Sequence, residues 1–433
     1  MSWREMAELG PFPLEDGYAE ALELDKRDRL RAERERFRIT DPELIYLDGN
    51  SLGMMPDAVP PATAEIVETQ WGERLIRSWN DGWWSLQIEL GDLLAPIIGA
   101  RSGEVAVSDS TSVNIFKLAV AALRARPGRS RIVTDDLNFP TDLYVLSGIA
   151  DLLGRGHHID VIPSPDGIHG PVEAIEAALD DDVALLTLSA TCFKSAYTYD
   201  IRRLTASAHR AGALVLWDLS HTAGSSDVDL TGADADLAVG CTYKYLNGGP
   251  GAPAFLYVRQ NLQTELDNPI TAWWAHADPF AMDLRFEPTS GIRRFHTGTM
   301  PILSLAAAVP GIEQVREVGM PAIRAKSVAL TEFFIAQTAA HLAPLGFGLV
   351  SPTDPARRGS HVSIAHPAAW QIVQALIAEA KVLPDFRAPD VARFGLSPLT
   401  TSFVDVHTAI QRVAAIVHSG AHQRFAAERP TVT

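Results

Sequence analysis

A lysine at position 244 lies between two tyrosines and just before a glycine-rich turn, in the stretch TYKYLNGGPG (242–251). The stretch follows a short apolar run, and its Asn-Gly-Gly-Pro-Gly segment requires the backbone to bend sharply. A lysine in this setting is either an ordinary solvated side chain or an amine held for covalent chemistry. Lys244 is therefore the first candidate for a reactive group.

Several short apolar runs of the chain end in polar or ionisable side chains. In open α/β sheets, ligands bind outside the carboxyl ends of the strands, so these positions are candidates for a site. Four such runs are GEVAVS, RIVTD, ALVLW and DLAVGC. The side chains that follow them are Asp109, Ser110, Thr111, Ser112, Phe139, Thr141, Asp142, Asp218, Ser220, His221, Thr242, Tyr243 and Lys244.

This set contains the groups that pyridoxal 5'-phosphate (PLP) requires. A lysine forms a Schiff base with the cofactor, a carboxylate keeps the pyridine nitrogen protonated, and an aromatic ring stacks on the pyridine. Hydroxyl and N–H groups at a helix N-terminus bind the phosphate. Lys244 offers the amine, Asp218 the carboxylate and Phe139 the ring. Thr111 and Ser112 open a helix-like stretch.

Each of these residues also has an ordinary structural role open to it. An aspartate at a strand end often caps a helix or turn, and Ser-Thr-Ser-Val-Asn is a common helix start. The Asn-Gly-Gly-Pro-Gly segment alone indicates only a turn. The order of a hydroxyl-rich helix start, an aromatic loop, an aspartate and a lysine is more specific than any one of them.

The elements that must position these residues alternate along the chain. From about residue 60 to 310, helix-like stretches alternate with short Val-, Leu- and Ile-rich runs, which predicts βαβ units and a largely parallel sheet. Beyond residue 311, a helix-like segment over about 315–342 leads to RGSHVSIAHP, another helix and ARFGLSP. We expect an α/β chain with a segment 1–59 that contributes to the small domain, a large domain 60–310 and a small α+β domain 311–433.

Composition excludes several classes of function. The 433 residues carry a net charge of −16, so no basic excess exists to bind nucleic acid or an anionic membrane. Two cysteines, Cys192 and Cys241, give neither a disulfide framework nor a metal-ligand spacing, which favours a cytoplasmic location. The first residues lack the pattern of a signal peptide, and no apolar run is long enough to span a membrane.

Longer motifs extend over nearly the whole chain. They are YLDGNSLGMMP (46–56), NFPTDLY (138–144), WDLSHTAG (217–224), GCTYKYLNGGPG (240–251), WWAHADPFAM (273–282), GTMPILSL (298–305), RGSHVSIAHP (358–367) and DFRAPDVARFGLSPL (385–399). In this order they resemble the kynureninases, PLP-dependent enzymes of aspartate-aminotransferase fold, and the lysine and LDGNSLG stretches are the most specific parts of the resemblance. It implies a PLP-dependent transferase of fold type I, in the class V aminotransferase superfamily.

The resemblance implies a role for each candidate residue. Lys244 would carry PLP, Asp218 would pair with the pyridine nitrogen, and Phe139 would stack on the ring. Arg393 would clamp the substrate α-carboxylate, because a guanidinium meets a carboxylate with two hydrogen bonds. The other implied positions are Thr141, Asp142 and His221 beside the cofactor, Thr111, Ser112, Tyr243, Trp273 and Thr299 around its phosphate, and Asn50 and Ser51 at the substrate end.

The implied reaction is hydrolytic Cβ–Cγ cleavage of L-kynurenine, or of its 3-hydroxy form, to anthranilate or 3-hydroxyanthranilate and L-alanine. Lys244 would move the α-proton, and Tyr243 would act as a proton donor or acceptor, or only bind the phosphate. Such an enzyme would serve tryptophan catabolism or NAD biosynthesis. The resemblance also implies a homodimer, in which Trp273 and Thr299 reach the partner's site.

Alternatives to this reaction stay open at the level of sequence. The chain departs from the family pattern at Cys192, Ala196, Ala275 and Thr400, which leaves room for another γ-oxo amino acid as substrate. An aminotransferase would use the same cofactor residues. A cysteine desulfurase needs a reactive cysteine on a mobile loop, for which only Cys192 qualifies. A non-catalytic PLP-binding protein is the remaining class.

Overall fold

The computed structural model describes residues 17–426, so the ends of the predicted segments 1–59 and 311–433 lie outside the described residues. The α-helices are α1 (Tyr18–Arg27), α2 (Val59–Glu65), α3 (Leu86–Leu94), α4 (Thr111–Arg124), α5 (Pro140–Leu153), α6 (Val172–Ala178), α7 (Ile201–Ala211), α8 (Ile302–Val318), α9 (Met320–Gln337), α10 (Ala369–Glu379) and α11 (Phe403–His418). The strands are β1 (Ile45–Tyr46), β2 (Val105–Val107), β3 (Arg131–Asp135), β4 (His158–Ile162), β5 (Val183–Ser189), β6 (Leu214–Asp218), β7 (Leu237–Gly240), β8 (Phe255–Val258), β9 (Gly348–Leu349), β10 (His361–Ala365), β11 (Val382–Leu383), β12 (Asp385–Arg387) and β13 (Val391–Gly395).

A seven-stranded sheet in the order β2-β8-β7-β6-β5-β3-β4 forms the centre of the molecule. The pairs from β7 to β4 are parallel, whereas β8 is antiparallel to both of its neighbours. Every residue of β5 and β6 is buried, as expected for strands covered by helices on both faces. The sheet is thus largely parallel, as predicted, and its carboxyl-terminal edge gathers the ends of β3, β6 and β7.

A second, four-stranded antiparallel sheet in the order β12-β13-β10-β9 lies in the carboxyl-terminal part. Its register pairs Asp385 with Arg393 and places Ser363 on the other side of Arg393. The short strand β1 pairs in parallel with β11, which attaches the amino-terminal part of the chain to this region. The sheet therefore presents Arg393 from a central strand rather than from a loop.

Three groups of buried apolar side chains form the interior of residues 17–426. One packs against the central sheet and includes Ile312 and Ile323 from beyond residue 311. A second packs the same sheet against α4 and α5, with Leu118 of α4 among its members. The third joins Ile45 and Leu47 of the amino-terminal part to the small sheet and to α9, α10 and α11. The domain limits at residues 59 and 310 stay a prediction, because side chains from both sides of residue 310 share one apolar group.

The predicted helix-like segment over about 315–342 is interrupted near its start, whereas helical structure does continue to Leu342. Helix α8 ends at Val318, and α9 begins at Met320. Between them Gly319 has φ +82°, which is left-handed backbone that a glycine adopts without strain and that interrupts a right-handed helix. Within residues 17–426, no helix combines the length and apolarity needed to cross a membrane.

Candidate active site

A cavity of about 380 Å³ opens at the carboxyl ends of β3, β6 and β7. It contains the predicted residues with two exceptions, Trp273 and Thr299. The predicted residues that line it are Asn50, Ser51, Thr111, Ser112, Phe139, Thr141, Asp142, Asp218, His221, Tyr243, Lys244 and Arg393. Phe193, Ser220 and Arg387 complete the wall; Ser220 was only noted at a strand end without a role, and Phe193 and Arg387 were not among the predicted site residues.

Lys244 lies in the turn that follows β7, and its amine points to a histidine. Lys244 Nζ lies 3.3 Å from Nε2 and 3.4 Å from Nδ1 of His221. Burial and the nearby Lys244 charge hold the pKa of His221 well below its usual value. His221 is therefore neutral at physiological pH and can accept a hydrogen bond from the lysine amine.

Two carboxylates flank the lysine. Asp218 ends β6, and its Oδ1 accepts hydrogen bonds from the backbone N–H of Ser220 at 2.8 Å and from the Ser220 hydroxyl at 2.6 Å. Burial raises the pKa of Asp218, and burial together with the Asp218 charge raises the pKa of Asp142 well above its usual range. Both groups would be stabilised in their charged form by a cation placed between them.

The loop before α5 is held by a buried aspartate. Asp135 Oδ1 accepts the backbone N–H groups of Leu137 at 3.1 Å and Asn138 at 2.9 Å, and Tyr199 donates its hydroxyl to Oδ2. These bonds place Phe139 at the cavity wall, where its ring is 42% exposed and meets Phe193 edge-on with the ring centroids 5.3 Å apart. The exposed ring face can stack on a flat heterocycle.

Helix α4 begins at Thr111, and Thr111 and Ser112 of its first turn line the cavity. The hydroxyl of Ser110 caps the helix by accepting the N–H of Val113 at 3.4 Å. Just before it, Asp109 is paired with the buried Lys117 at 2.7 Å. Although burial alone would raise it, the Lys117 charge holds the pKa of Asp109 below its usual value. This ion pair fixes the turn that leads into the helix start.

The amino-terminal motif closes over the lysine turn. The N–H of Gly53 donates to the carbonyl of Tyr243 at 2.7 Å, and a Cβ on Gly53 would come within 2.3 Å of the Lys244 carbonyl. Only glycine permits this approach without displacing the backbone. Asn50 is fully buried at the cavity wall, and its amide has no hydrogen-bond partner within residues 17–426. Such an amide is suited to contact a ligand.

Thr299 and Trp273 lie away from this cavity. Thr299 lines a neighbouring cavity of about 390 Å³, which shares Thr111, Ser112 and Tyr243 with the first. Trp273 lines neither of them; its ring is 40% exposed and packs edge-on against Trp274, with the centroids 4.6 Å apart. Their contribution to a partner subunit's site stays a prediction.

The donor set fits PLP. An amine, two carboxylates with raised pKa values, an exposed aromatic ring and a helix N-terminus with hydroxyl side chains line one cavity. The amide of Asn50 and the guanidinium of Arg393 occupy the same space and leave polar groups for the amino-acid part of a substrate.

Curated proteins of similar sequence agree with this site. A kynureninase of Pseudomonas fluorescens is 44% identical over 403 residues, which cover 92% of this chain and 95% of that protein. A kynureninase of Burkholderia pseudomallei (strain 1106a) is 44% identical over 407 residues, which cover 93% of this chain and 96% of that protein. The chain belongs to the kynureninase family. The profile of the kynureninase C-terminal domain also matches residues 323–413.

Solved structures give the same fold at much lower sequence identity. A cysteine desulfurase from Thermococcus onnurineus NA1 superposes with a TM-score of 0.77 at 18% identity, covering 89% of this chain and 97% of that one. A C-DES mutant with glycine covalently linked to its PLP cofactor superposes with a TM-score of 0.75 at 18% identity, covering 88% of this chain and 98% of that one. The predicted fold class is confirmed, and as a kynureninase-family member the chain is a PLP-dependent enzyme.

Proposed function

We propose that this chain hydrolyses the Cβ–Cγ bond of L-kynurenine or 3-hydroxy-L-kynurenine, and so forms anthranilate or 3-hydroxyanthranilate and L-alanine. The observation that carries this proposal is the single cavity that contains Lys244, Asp218 and Arg393. An amine, a carboxylate that could pair with a pyridine nitrogen and a guanidinium that could bind an amino-acid carboxylate line this one cavity. Kinship with kynureninases over most of the chain supports the same reaction.

The residues that would hold PLP occupy different walls of the cavity. Lys244 would bind the cofactor covalently, Asp218 would pair with its ring nitrogen, and Phe139 would cover one ring face. When bound, PLP supplies an electron sink for the electrons of the bonds broken at the substrate. The groups proposed for its phosphate and its surroundings are Thr111, Ser112, Tyr243, Thr141, Asp142 and His221.

The proton transfers fall to the lysine and the adjacent tyrosine. The Lys244 amine, once free, would remove the substrate α-proton and later return a proton. The Cys241 thiol and burial raise the pKa of Tyr243, so its hydroxyl keeps its proton at neutral pH and can donate it. Arg393 would hold the α-carboxylate and thereby orient the α-proton toward Lys244.

The test is incubation of PLP-loaded protein with L-kynurenine and, separately, with 3-hydroxy-L-kynurenine. Mass spectrometry should find equal amounts of alanine and the anthranilate-type product, and the ratio of rates identifies the preferred ring. Lys244→Ala should remove the visible cofactor band and all turnover, whereas the control Lys26→Ala, on an exposed helix face, should retain both. Turnover retained by Lys244→Ala would refute the assignment, and absence of alanine from the wild type would refute the substrate.

The desulfurase alternative lacks an available thiol. Cys192 and Cys241 are both buried, and burial raises the pKa of each thiol. A buried, protonated thiol cannot attack a substrate sulfur from a mobile loop. An aminotransferase would instead give a keto-acid-dependent half-reaction, which the same mass-spectrometric assay detects as a keto product in place of alanine.

We further propose that the enzyme is a cytoplasmic homodimer. The exposed aromatic rings of Trp273 and Phe280, whose centroids lie 6.2 Å apart, support a subunit contact there, because large apolar groups are seldom left in water. The two cysteines, without a disulfide between them, are consistent with a reducing compartment. Light scattering of the purified protein and fractionation of the producing cells test these two points.

A further inference from the structure

Three charged side chains share one face of the small sheet beside the cavity. Asp385 and Arg387 are two residues apart on β12, and alternate residues of a strand point to the same face. Arg393 of β13 lies directly opposite Asp385 in the antiparallel register. The backbone therefore brings both arginines to one carboxylate.

The Asp385 carboxylate accepts hydrogen bonds from both arginines. Oδ1 accepts Nε of Arg393 at 2.9 Å, and Oδ2 accepts Nη2 of the same guanidinium. Oδ2 also accepts Nη2 of Arg387 at 2.7 Å and the hydroxyl of Ser51 at 3.0 Å. Burial alone would raise the pKa of Asp385, but the charges and hydrogen bonds of Arg393, Arg387 and Ser51 together lower it, so the carboxylate is ionised at neutral pH.

Arg393 has few donors left for a substrate. A guanidinium carries five N–H groups. Those of Arg393 reach Asp385 twice, the Ser51 hydroxyl at 3.1 Å and the Phe193 carbonyl at 2.5 Å. One N–H group remains without a partner within residues 17–426, and the side chain is only 1% exposed. Arg393 alone cannot bind a carboxylate with two hydrogen bonds while it keeps these partners.

Arg387 is placed to complete the contact. Its side chain is 32% exposed, lines the same cavity and is bound to the same Asp385 oxygen as Arg393. We propose that Arg387 is a second substrate-binding arginine, that it receives the amino-acid carboxylate together with Arg393, and that Asp385 is the positioning residue for both. This inference rests on the proposed use of an amino-acid substrate and adds Arg387 and Asp385 to the residues that select it.

The charges of the three groups agree with this assignment. Two guanidinium groups and one carboxylate leave one positive charge among these three side chains, which matches a single substrate carboxylate while the neighbouring Asp48 keeps its proton. Without Asp385, two like charges would face each other with no shared partner, and each guanidinium would have other rotamers open to it. Asp385 thus acts on the substrate through the arginines and not by direct contact.

The test compares L-alanine with L-alaninamide, which differ only in the carboxylate. Titration of the holoenzyme with each, followed by the change in cofactor absorbance, gives the preference for the carboxylate form. We expect Arg387→Gln and Asp385→Asn each to reduce this preference about tenfold or more, as loss of a charge-assisted hydrogen bond does. Arg387→Lys keeps the positive charge but lacks the planar guanidinium that makes two hydrogen bonds. This variant should therefore keep part of the preference for the carboxylate form.

Arg131→Gln provides the matched control, because Arg131 is a partly buried strand arginine paired with Asp160 at the far side of the central sheet. It should keep the wild-type preference, and all variants should keep the wild-type cofactor band. If the Arg387→Gln variant keeps the wild-type preference for L-alanine, Arg387 does not bind the carboxylate. If the Asp385→Asn variant keeps that preference, Asp385 does not position the arginines. Neither result depends on turnover of L-kynurenine, so failure of the proposed reaction is seen separately.

Discussion

The amine of Lys244 is almost equidistant from the two ring nitrogens of His221, at 3.3 and 3.4 Å. The two residues follow neighbouring parallel strands, β7 and β6, so the sheet itself sets their separation. Because burial and the lysine charge keep the imidazole neutral, His221 adds no competing positive charge to the site. The lysine amine is thereby surrounded by acceptors rather than by other cations.

His221 should stay neutral through the pH range in which most histidines titrate. His209 provides the comparison, because its hydrogen bond to Asp236, at 2.9 Å, raises its pKa. Imidazole ¹⁵N NMR between about pH 8 and about pH 5.5 should show His209 becoming protonated and His221 remaining neutral. His221→Gln and His209→Gln assign the signals; a His221 signal that titrates along with that of His209 would contradict the prediction.

Replacement of the Asp218 carboxylate by an amide should slow the reaction strongly. Asp218→Asn keeps the shape but cannot hold a proton on a ring nitrogen by charge, so we expect kcat to fall by about 10²–10³. Ser220→Ala removes one of the two hydrogen bonds to Oδ1 and should have a smaller effect. Steady-state kinetics with matched cofactor loading measures both, and an Asp218→Asn variant with wild-type kcat would disprove the role.

Substrate affinity should weaken as Asp48 ionises. Burial, and then the charge of Asp385, raise the pKa of Asp48 from 3.8 to about 6. Below this pH the Asp48 carboxyl is neutral. Above this pH it is ionised and adds a negative charge near Arg387 and Arg393. The KM of the wild type should therefore rise from about pH 5 to about pH 7, and Asp48→Asn should lack this rise. The charged and titratable groups that face Asp48 are Tyr46, Tyr245, Asp385, Arg387 and Arg393.

The same proton is linked to stability, with a defined sign. Asp48 keeps its proton to a higher pH in the folded state than in the unfolded chain, so it favours folding below about pH 4 and loses that contribution by about pH 6. Asp48→Asn should remove this loss. An unchanged pH dependence of both KM and stability in the variant would exclude Asp48 as the source.

Loss of the buried Lys117 should destabilise the fold. Its amine donates to Asp109 at 2.7 Å and to the carbonyl of Phe295 at 2.8 Å, with no exposed surface. Lys117→Met leaves Asp109 without its cation, and we expect the free energy of unfolding to fall by about 3–5 kcal/mol. The double variant Lys117→Met/Asp109→Asn should recover part of this loss of unfolding free energy, as measured by urea unfolding. If the losses of the two single variants simply add, the two side chains do not stabilise the fold as a pair.

The sequence was sufficient to predict the side of the site that rests on the central sheet. Asp218 and Lys244 directly follow buried apolar runs, and parallel strands bring such positions to one edge whatever the details of packing. Phe139 and Thr111 follow by the same reasoning from β3 and β2. Asn50, Ser51 and Arg393 required the family resemblance, because nothing in their local pattern relates them to a sheet hundreds of residues away.

Arg387 and Asp385 were missed because their role depends on register. The alternation in Asp-Phe-Arg indicates that Asp385 and Arg387 share one face of a strand. Their partner, Arg393, is set by the register between β12 and β13, which depends on the connecting turn and is not specified by the sequence pattern. The direction of β8 was missed for a similar reason, since a buried apolar run reads alike in either direction. The glycine at position 319 is visible in the sequence between two helical stretches, but the predicted helix continued across it.

Gly53 packs against the lysine turn, and the carbonyl of Leu47 accepts the N–H of Gly395 at 2.6 Å. The amino-terminal segment that closes over the active site is thus held by a part of the chain that is synthesised after the lysine. A nascent chain that has not yet been extended to Gly395 has the lysine but not the closed pocket. Cofactor capture should consequently wait for the synthesis of Gly395, and carboxy-terminal truncation before Gly395 should yield protein that stays colourless in the presence of PLP.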